Sequence, residues 1–170
     1  MEKDFKKRKH PRLKNFDYSS SGAYFITICT QNRKCLFSRI VGRGLAPAEV
    51  EYSSFGEIAK EELFLLEERF PCIIDSFVIM PNHIHIILIL NNETAGASPR
   101  PTVMNIICAY KSLTTKKCKN FGLNEKLFQT SFYEHVIRNN QDLIETQNYI
   151  YENPARWQED QLYSEESFFK

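Results

Sequence analysis

No stretch of the sequence approaches the ~18 consecutive apolar residues of a membrane-spanning helix, and no apolar run of a secretory signal follows the basic N-terminus. These absences predict a cytoplasmic protein with no membrane partner. The cysteines Cys29, Cys35, Cys72, Cys108 and Cys118 are odd in number and never fall in C-x-x-C spacing. That excludes a disulfide framework and a cysteine zinc knuckle, and predicts buried thiols in a reducing compartment. No H-E-x-x-H occurs, so a zinc enzyme of that kind is not supported. With 6 glycines, 7 prolines and no repeat or low-complexity tract, neither disorder nor a solenoid is indicated. What remains is a chain of 170 residues, 42% apolar, the size of one compact domain.

A large net charge is missing too, since 22 basic and 21 acidic residues leave +1. The charges are nevertheless segregated along the chain. Lys3, Lys6, Lys7, Arg8, Lys9, Arg12 and Lys14 make a basic arm, and Lys111, Lys116, Lys117, Lys119 and Lys126 a second basic stretch. Acidic residues collect between Glu57 and Glu68 and between Glu159 and Glu166. Basic clusters suit a phosphate backbone while acidic stretches face elsewhere. A solvated arm and a solvated helix face meet the same pattern, so side-chain chemistry has to decide.

Ala23 to Thr30 (AYFITICT) is aromatic and β-branched after a Ser-Ser-Gly turn signal and predicts a first strand. Gly42 to Ser54, with Gly44 and Pro47, reads as a surface excursion, and Ile58, Leu63, Leu65, Leu66 and Phe70 then recur in a first helix. Cys72 to Met80 and His83 to Leu90 are apolar runs separated only by Pro81 and Asn82, which predicts a tight antiparallel hairpin. After a polar loop, Thr102 caps a second helix carrying Val103, Ile106, Ile107, Tyr110 and Leu113. Phe128 to Arg138 predicts a fourth strand, and a last helix runs from Asn140 or Gln141 to about Asn153. The order β-α-β-β-α-β plus a helix is that of an α+β, ferredoxin-like antiparallel sheet. Such folds host many functions, so the function has to come from side chains.

Side chains alternate along a strand, so His83 and His85 in HIHIILIL share one face with Ile87 and Ile89, and Ile84, Ile86, Leu88 and Leu90 take the other. Adjacent imidazoles resist being protonated together, whereas one divalent cation satisfies both nitrogens. Hydrogen-bonded histidines at a sheet edge, or histidines exposed near the turn, fit the pair alone equally well.

On the last helix the 3.6-residue period puts Leu143, Ile144, Gln147, Ile150, Tyr151 and Pro154 on one side, expected to face the core. Asp142, Glu145, Thr146, Tyr149 and Asn153 occupy the opposite arc, so Tyr149 is the tyrosine of the polar face and Tyr151 a packing residue. Asn153 lies one turn beyond Tyr149, where an amide oxygen suits a metal. Pro154 disfavours helical geometry at the residue before it, which leaves Glu145, one turn earlier, as the alternative ligand. A surface tyrosine covering a loop is the other reading of Tyr149. A metal, two imidazoles and a phenol do suit phosphodiester transfer: the metal neutralises the non-bridging oxygens, and a covalent phosphotyrosine conserves the bond energy for rejoining.

The segments AYFITICTQNR, FVIMPNHIHIIL, FYEHVIRNNQDL and NYIYENPARW together resemble the REP-associated tyrosine transposases, a branch of the single-tyrosine HUH transposases. The resemblance runs from about Gly22 to Trp157. It implies metal ligation by His83 and His85 around Ile84, Tyr149 as nucleophile, and Asn153 as third ligand. It further implies magnesium or manganese, a 5′-phosphotyrosine intermediate, and single-stranded DNA carrying hairpins of repetitive extragenic palindromes as substrate. The expected organisation is a basic arm at 1–21, one transposase domain at 22–157 and an acidic tail at 158–170. Lys7, Arg8, Lys9, Arg12, Lys111, Lys116, Lys117 and Arg138 are the expected DNA contacts. Related enzymes exchange tyrosine helices within a dimer while this branch can act as a monomer, so both states stay open. Two rivals compete: a non-catalytic single-strand binding module and a metal-dependent hydrolase that uses water.

Overall fold

The computed structural model describes residues 17, 19–42, 48–91 and 100–165. Its main sheet has four strands, β1 (Gly22–Cys29), β4 (Cys72–Ile79), β5 (His83–Leu90) and β6 (Tyr133–Ile137), in the order β4-β5-β1-β6. All neighbours are antiparallel, which is the ferredoxin-like arrangement expected from the element order. Pro81 and Asn82 turn β4 into β5, closed by the Met80 N–H donating to the His83 carbonyl at 2.8 Å.

Between β1 and the first helix lies a hairpin that the sequence reading missed. Strands β2 (Ser38–Val41) and β3 (Glu49–Tyr52) pair where only a surface excursion was expected. Each strand is only four residues long, at the lower limit at which alternation is readable, so the polar–apolar alternation of EVEY is outweighed by Gly44 and Pro47 in the same stretch. Residues 43–47 of that excursion are outside the described residues.

Helices α1 (Ser54–Arg69) and α2 (Val103–Asn120) cover one face of the sheet. Ser53 caps α1 by accepting from the Gly56 N–H, and Thr102 and Asn105 form a reciprocal capping box on α2. Gly56 permits close packing, because a Cβ there would lie 2.0 Å from the Phe37 carbonyl oxygen. Tyr24, Ile26, Ile28, Ile84, Ile86, Leu88 and Leu90 meet Leu63, Leu66, Ile106 and Ile107 in a dry core. Burying a side chain of this kind contributes roughly 1.5–3 kcal/mol.

The other face carries helix α3 (Asn140–Glu152) and the turns that follow it. Here Phe25, Ile87, Val78, Ile137, Leu143, Ile150 and Trp157 form a smaller cluster. Ile150 is the only buried residue within α3 itself. The helix is rotated from the expected wheel: Ile144 and Tyr151 point outward, Tyr151 being 87% exposed, while Asn153 is buried. Tyr151 is therefore not a packing residue. The reason is that polar partners, not apolar ones, seat the far end of the helix. The cysteines are all free; Cys35, Cys72 and Cys118 are buried as expected, Cys29 is half-buried and Cys108 is exposed.

Candidate active site

The histidine face of β5 lies under α3. Register sets Cys29 opposite His83 and Thr27 opposite His85, so both imidazoles sit at one end of the sheet with β1 side chains beside them. Both histidines are buried, at 0% and 2% exposure, which removes the reading of exposed turn histidines. Their ring centroids are 4.5 Å apart.

A neighbouring amide fixes the tautomer of His83. Asn82 donates through Nδ2 to the Leu162 carbonyl at 2.8 Å, to Ser164 Oγ at 2.9 Å and to the Arg33 carbonyl at 3.3 Å. That orients its Oδ1 toward His83 Nδ1 at 2.8 Å, so Nδ1 carries the proton. Nε2 is then a lone pair, fully buried, with no hydrogen-bond partner among the described residues. The loop that presents the Arg33 carbonyl is held in left-handed geometry, with φ of 57° at Asn32 and 54° at Arg33. His85 is positioned by Thr27 Oγ1 at 2.9 Å from Nδ1 and by Phe25, stacked at 5.2 Å between ring centroids.

Burial, with the nearby Arg33 charge, pushes the His83 pKa down to about 3. Burial also takes His85 well below its ordinary value, with His83 adding to the shift. Both imidazoles are therefore neutral near neutral pH, the form that ligates metals. The Tyr149 hydroxyl lies 3.4 Å from His85 Nε2, and its pKa is raised by burial and by the negative charge of Asp160. The phenol is 45% exposed and faces a cavity of about 1080 Å³.

Asp160 was not foreseen as a site residue. It lies beyond Pro154 and past the end of the helix that carries Tyr149, in the stretch set apart by sequence as an acidic tail. As far as it is described, to residue 165, that stretch folds back over the histidine end of the sheet. An Asp160 oxygen lies 4.0 Å from His83 Nε2, and His83, His85 and Asp160 offer ligand atoms all within 4.8 Å of one another. Asn153 donates Nδ2 to Asp160 Oδ2 at 3.1 Å, and its own Oδ1 is buried without a partner among the described residues. Pro154 does not turn Asn153 away, since its φ of −55° and ψ of −43° are still helical. The Arg156 N–H, bonding back to Glu152 and Asn153, continues the turn. Glu145 lines the cavity but accepts from Gln141 at 2.7 Å and is not in the ligand cluster.

Two orphaned buried acceptors, a second neutral imidazole and a buried carboxylate make a donor set that suits a small divalent cation. The surroundings add to this, because the cavity is lined by Glu145, Glu152, Glu159 and Asp160, and the one cationic side chain among its described lining residues, Arg156, is paired with Glu152. Such walls repel a phosphate unless positive charge is brought in.

The expected DNA contacts separate into groups. Lys111 donates to the Gln129 and Thr130 carbonyls, while Lys116 is exposed beside it. Lys117 turns the other way, to the buried carboxylate of Glu62, which Arg69 also binds. Arg138 follows β6 at the far end of the sheet, about 20 Å from the histidines by strand rise. Lys7, Arg8, Lys9 and Arg12 lie outside the described residues.

No protein-family model matches the chain. An uncharacterised protein of Haemophilus influenzae is 31% identical over 172 residues, spanning 92% of this chain and 93% of the relative. A second protein of the same organism, provisionally named a REP-associated tyrosine transposase, is 25% identical over 82% of this chain and 74% of its own length. Among solved structures, a REP-associated tyrosine transposase bound to a REP hairpin shares the fold, with a TM-score of 0.62 and 22% identity over 85% of this chain and 73% of its own. A relative matched along nearly its whole length, a second one bearing the name, and the shared fold agree with the motifs in the chain's similarity to the REP-associated tyrosine transposases.

Proposed function

We propose that this protein is a transposase that cleaves and rejoins single-stranded DNA carrying a hairpin, with Tyr149 as nucleophile. One observation carries the reading: the Tyr149 hydroxyl stands 3.4 Å from the Nε2 of a buried, neutral His85 in an open cavity. His83 and His85 through Nε2, with Asp160 and the Asn153 amide oxygen, would hold magnesium or manganese. When bound, the ion supplies positive charge for the non-bridging phosphate oxygens that the acidic walls lack.

Thr27, Asn82 and Phe25 keep the imidazoles oriented, and Asn153 anchors Asp160 one turn beyond the nucleophile. The phenol oxygen bonds to phosphorus as the bond to the 3′ oxygen breaks. That oxygen leaves as a 3′ hydroxyl, its proton balanced by the one the phenol gives up, and the 5′ phosphate stays on Tyr149. Attack by another 3′ hydroxyl reverses the exchange, restores the phenol and joins two strands without an external energy source. Tyr149 and His85 meet within one chain, so the reading needs no exchange of helices between subunits.

Incubation with a hairpin oligonucleotide and manganese should give a protein–DNA adduct that survives denaturant. Tyr149→Phe should abolish it while strand binding is kept. An adduct that persists in Tyr149→Phe, at Tyr133 or Tyr151, overturns the assignment, and strand cleavage with no adduct favours the water-using hydrolase. Added manganese should also raise the melting temperature of the wild type but not of His83→Ala.

A further inference from the structure

A second cleft, of about 620 Å³, lies between the C-terminal half of α2 and the segment 126–130. Lys111, Lys116, Lys119 and Lys126 line it, and no carboxylate does among its described lining residues. Its charge is thus the opposite of that in the tyrosine cavity. The two share one wall, because Gln129 lines both.

That wall is tied to the histidine end of the sheet. Phe128 bridges Thr30, the Gln129 N–H donates to the Cys29 carbonyl at 3.0 Å, and the Gln31 N–H donates to the Leu127 carbonyl at 2.8 Å. Cys29 is in turn the β1 partner of His83. Lys111 braces the wall from the cleft side through the Gln129 and Thr130 carbonyls at 2.7 and 3.0 Å. A polyanion finds no net attraction from the described side chains that line the tyrosine cavity, and the lysines of the adjoining cleft are the described cations placed to supply it. Lys116, Lys119 and Lys126 are exposed on the cleft that adjoins it, whereas Lys117 is committed to Glu62.

We propose that the lysine cleft carries the unpaired strand on one side of the scissile phosphate, so that a single strand runs from Lys116, Lys119 and Lys126 across Gln129 to Tyr149. This rests on the reading that single-stranded DNA is the substrate. Phosphate contacts release counterions, at about 0.7 of a log–log salt slope per neutralised charge on a single strand.

The test uses the full chain carrying Tyr149→Phe, which stops turnover, and a labelled hairpin oligonucleotide with unpaired flanks on both sides. Replacing Lys116, Lys119 and Lys126 together by Gln should flatten the slope of log Kd against log salt by about 2, whereas Lys117→Gln should leave it unchanged. Trimming the unpaired flank on one side, and not the other, should remove the difference between the triple variant and its parent. The proposal is overturned by an unchanged slope in the triple variant, by a difference that survives trimming of either flank, or by an equal change on a blunt duplex without flanks. Adduct formation by the chain with Tyr149 intact is scored separately. Failure there sinks the catalytic reading, while the salt slopes, which need no cleavage, still decide the cleft.

Discussion

The two faces of the main sheet are built from the same strands by the same alternation, yet they do different work. The face under α1 and α2 is close-packed and mostly apolar, with well-capped helices, and it also buries Glu134 of β6, the carboxylate of Glu62 on α1 and the Thr114 hydroxyl on α2. The face under α3 buries two histidines and an amide and covers the carboxylate of Asp160, and its helix contributes one buried apolar residue. Polar ties seat α3 instead: Asn139 caps it, His135 pairs with Asp142 at 3.0 Å, Gln147 reaches Asp75 at 2.8 Å, and Asn153 holds Asp160. Stability and chemistry have thus been divided between opposite sides of one layer, where buried polar groups cost little only if something satisfies them.

Four substitutions sharpen this division. Tyr149→Phe should have the largest effect, total loss of the adduct, with unfolding stability changed by less than about 0.5 kcal/mol in denaturant titration. Leu63→Ala, in the opposite core, should cost about 2–5 kcal/mol of stability and leave adduct yield per folded molecule unchanged. A comparable loss of yield per folded molecule would mean that the faces are coupled. Lys117→Gln should cost about 1.5–3 kcal/mol, because the buried Glu62 then keeps Arg69 as its one cation among the described residues, and should not alter DNA affinity. Asn139→Ala should cost about 1 kcal/mol, and adduct formation should slow more than the global stability loss explains, since the cap serves the tyrosine helix. An equal slowing from a cap deletion at Ser53 on α1 would break the distinction.

Much of this was readable from the sequence. Alternation in HIHIILIL set the two histidines on one face, and the Pro81–Asn82 turn and the capping residue Thr102 fixed the framework around them. The wheel of the last helix was read less well, because Ile144 and Tyr151 look like core residues while the buried end is held by Asn153 and Asp160. Apolar periodicity carries no information about a face seated by hydrogen bonds. Asp160 had no local signal at all, since it reaches the histidines from beyond Pro154 through tertiary folding. Asn82 was legible only as a turn residue, and its second role, orienting His83, depends on carbonyls far away in sequence.

That single amide gathers the loop at Arg33, the turn between β4 and β5, and the stretch at Leu162–Ser164 into one knot. Leu162 and Ser164, two of the three acceptors of that amide, lie beyond the last strand of the main sheet. A chain emerging from the ribosome N-terminus first would therefore have all four strands in hand while Asn82 still lacked two of its anchors and His83 its fixed orientation. Competence to cut DNA would arrive last, with the residues that close over the histidines.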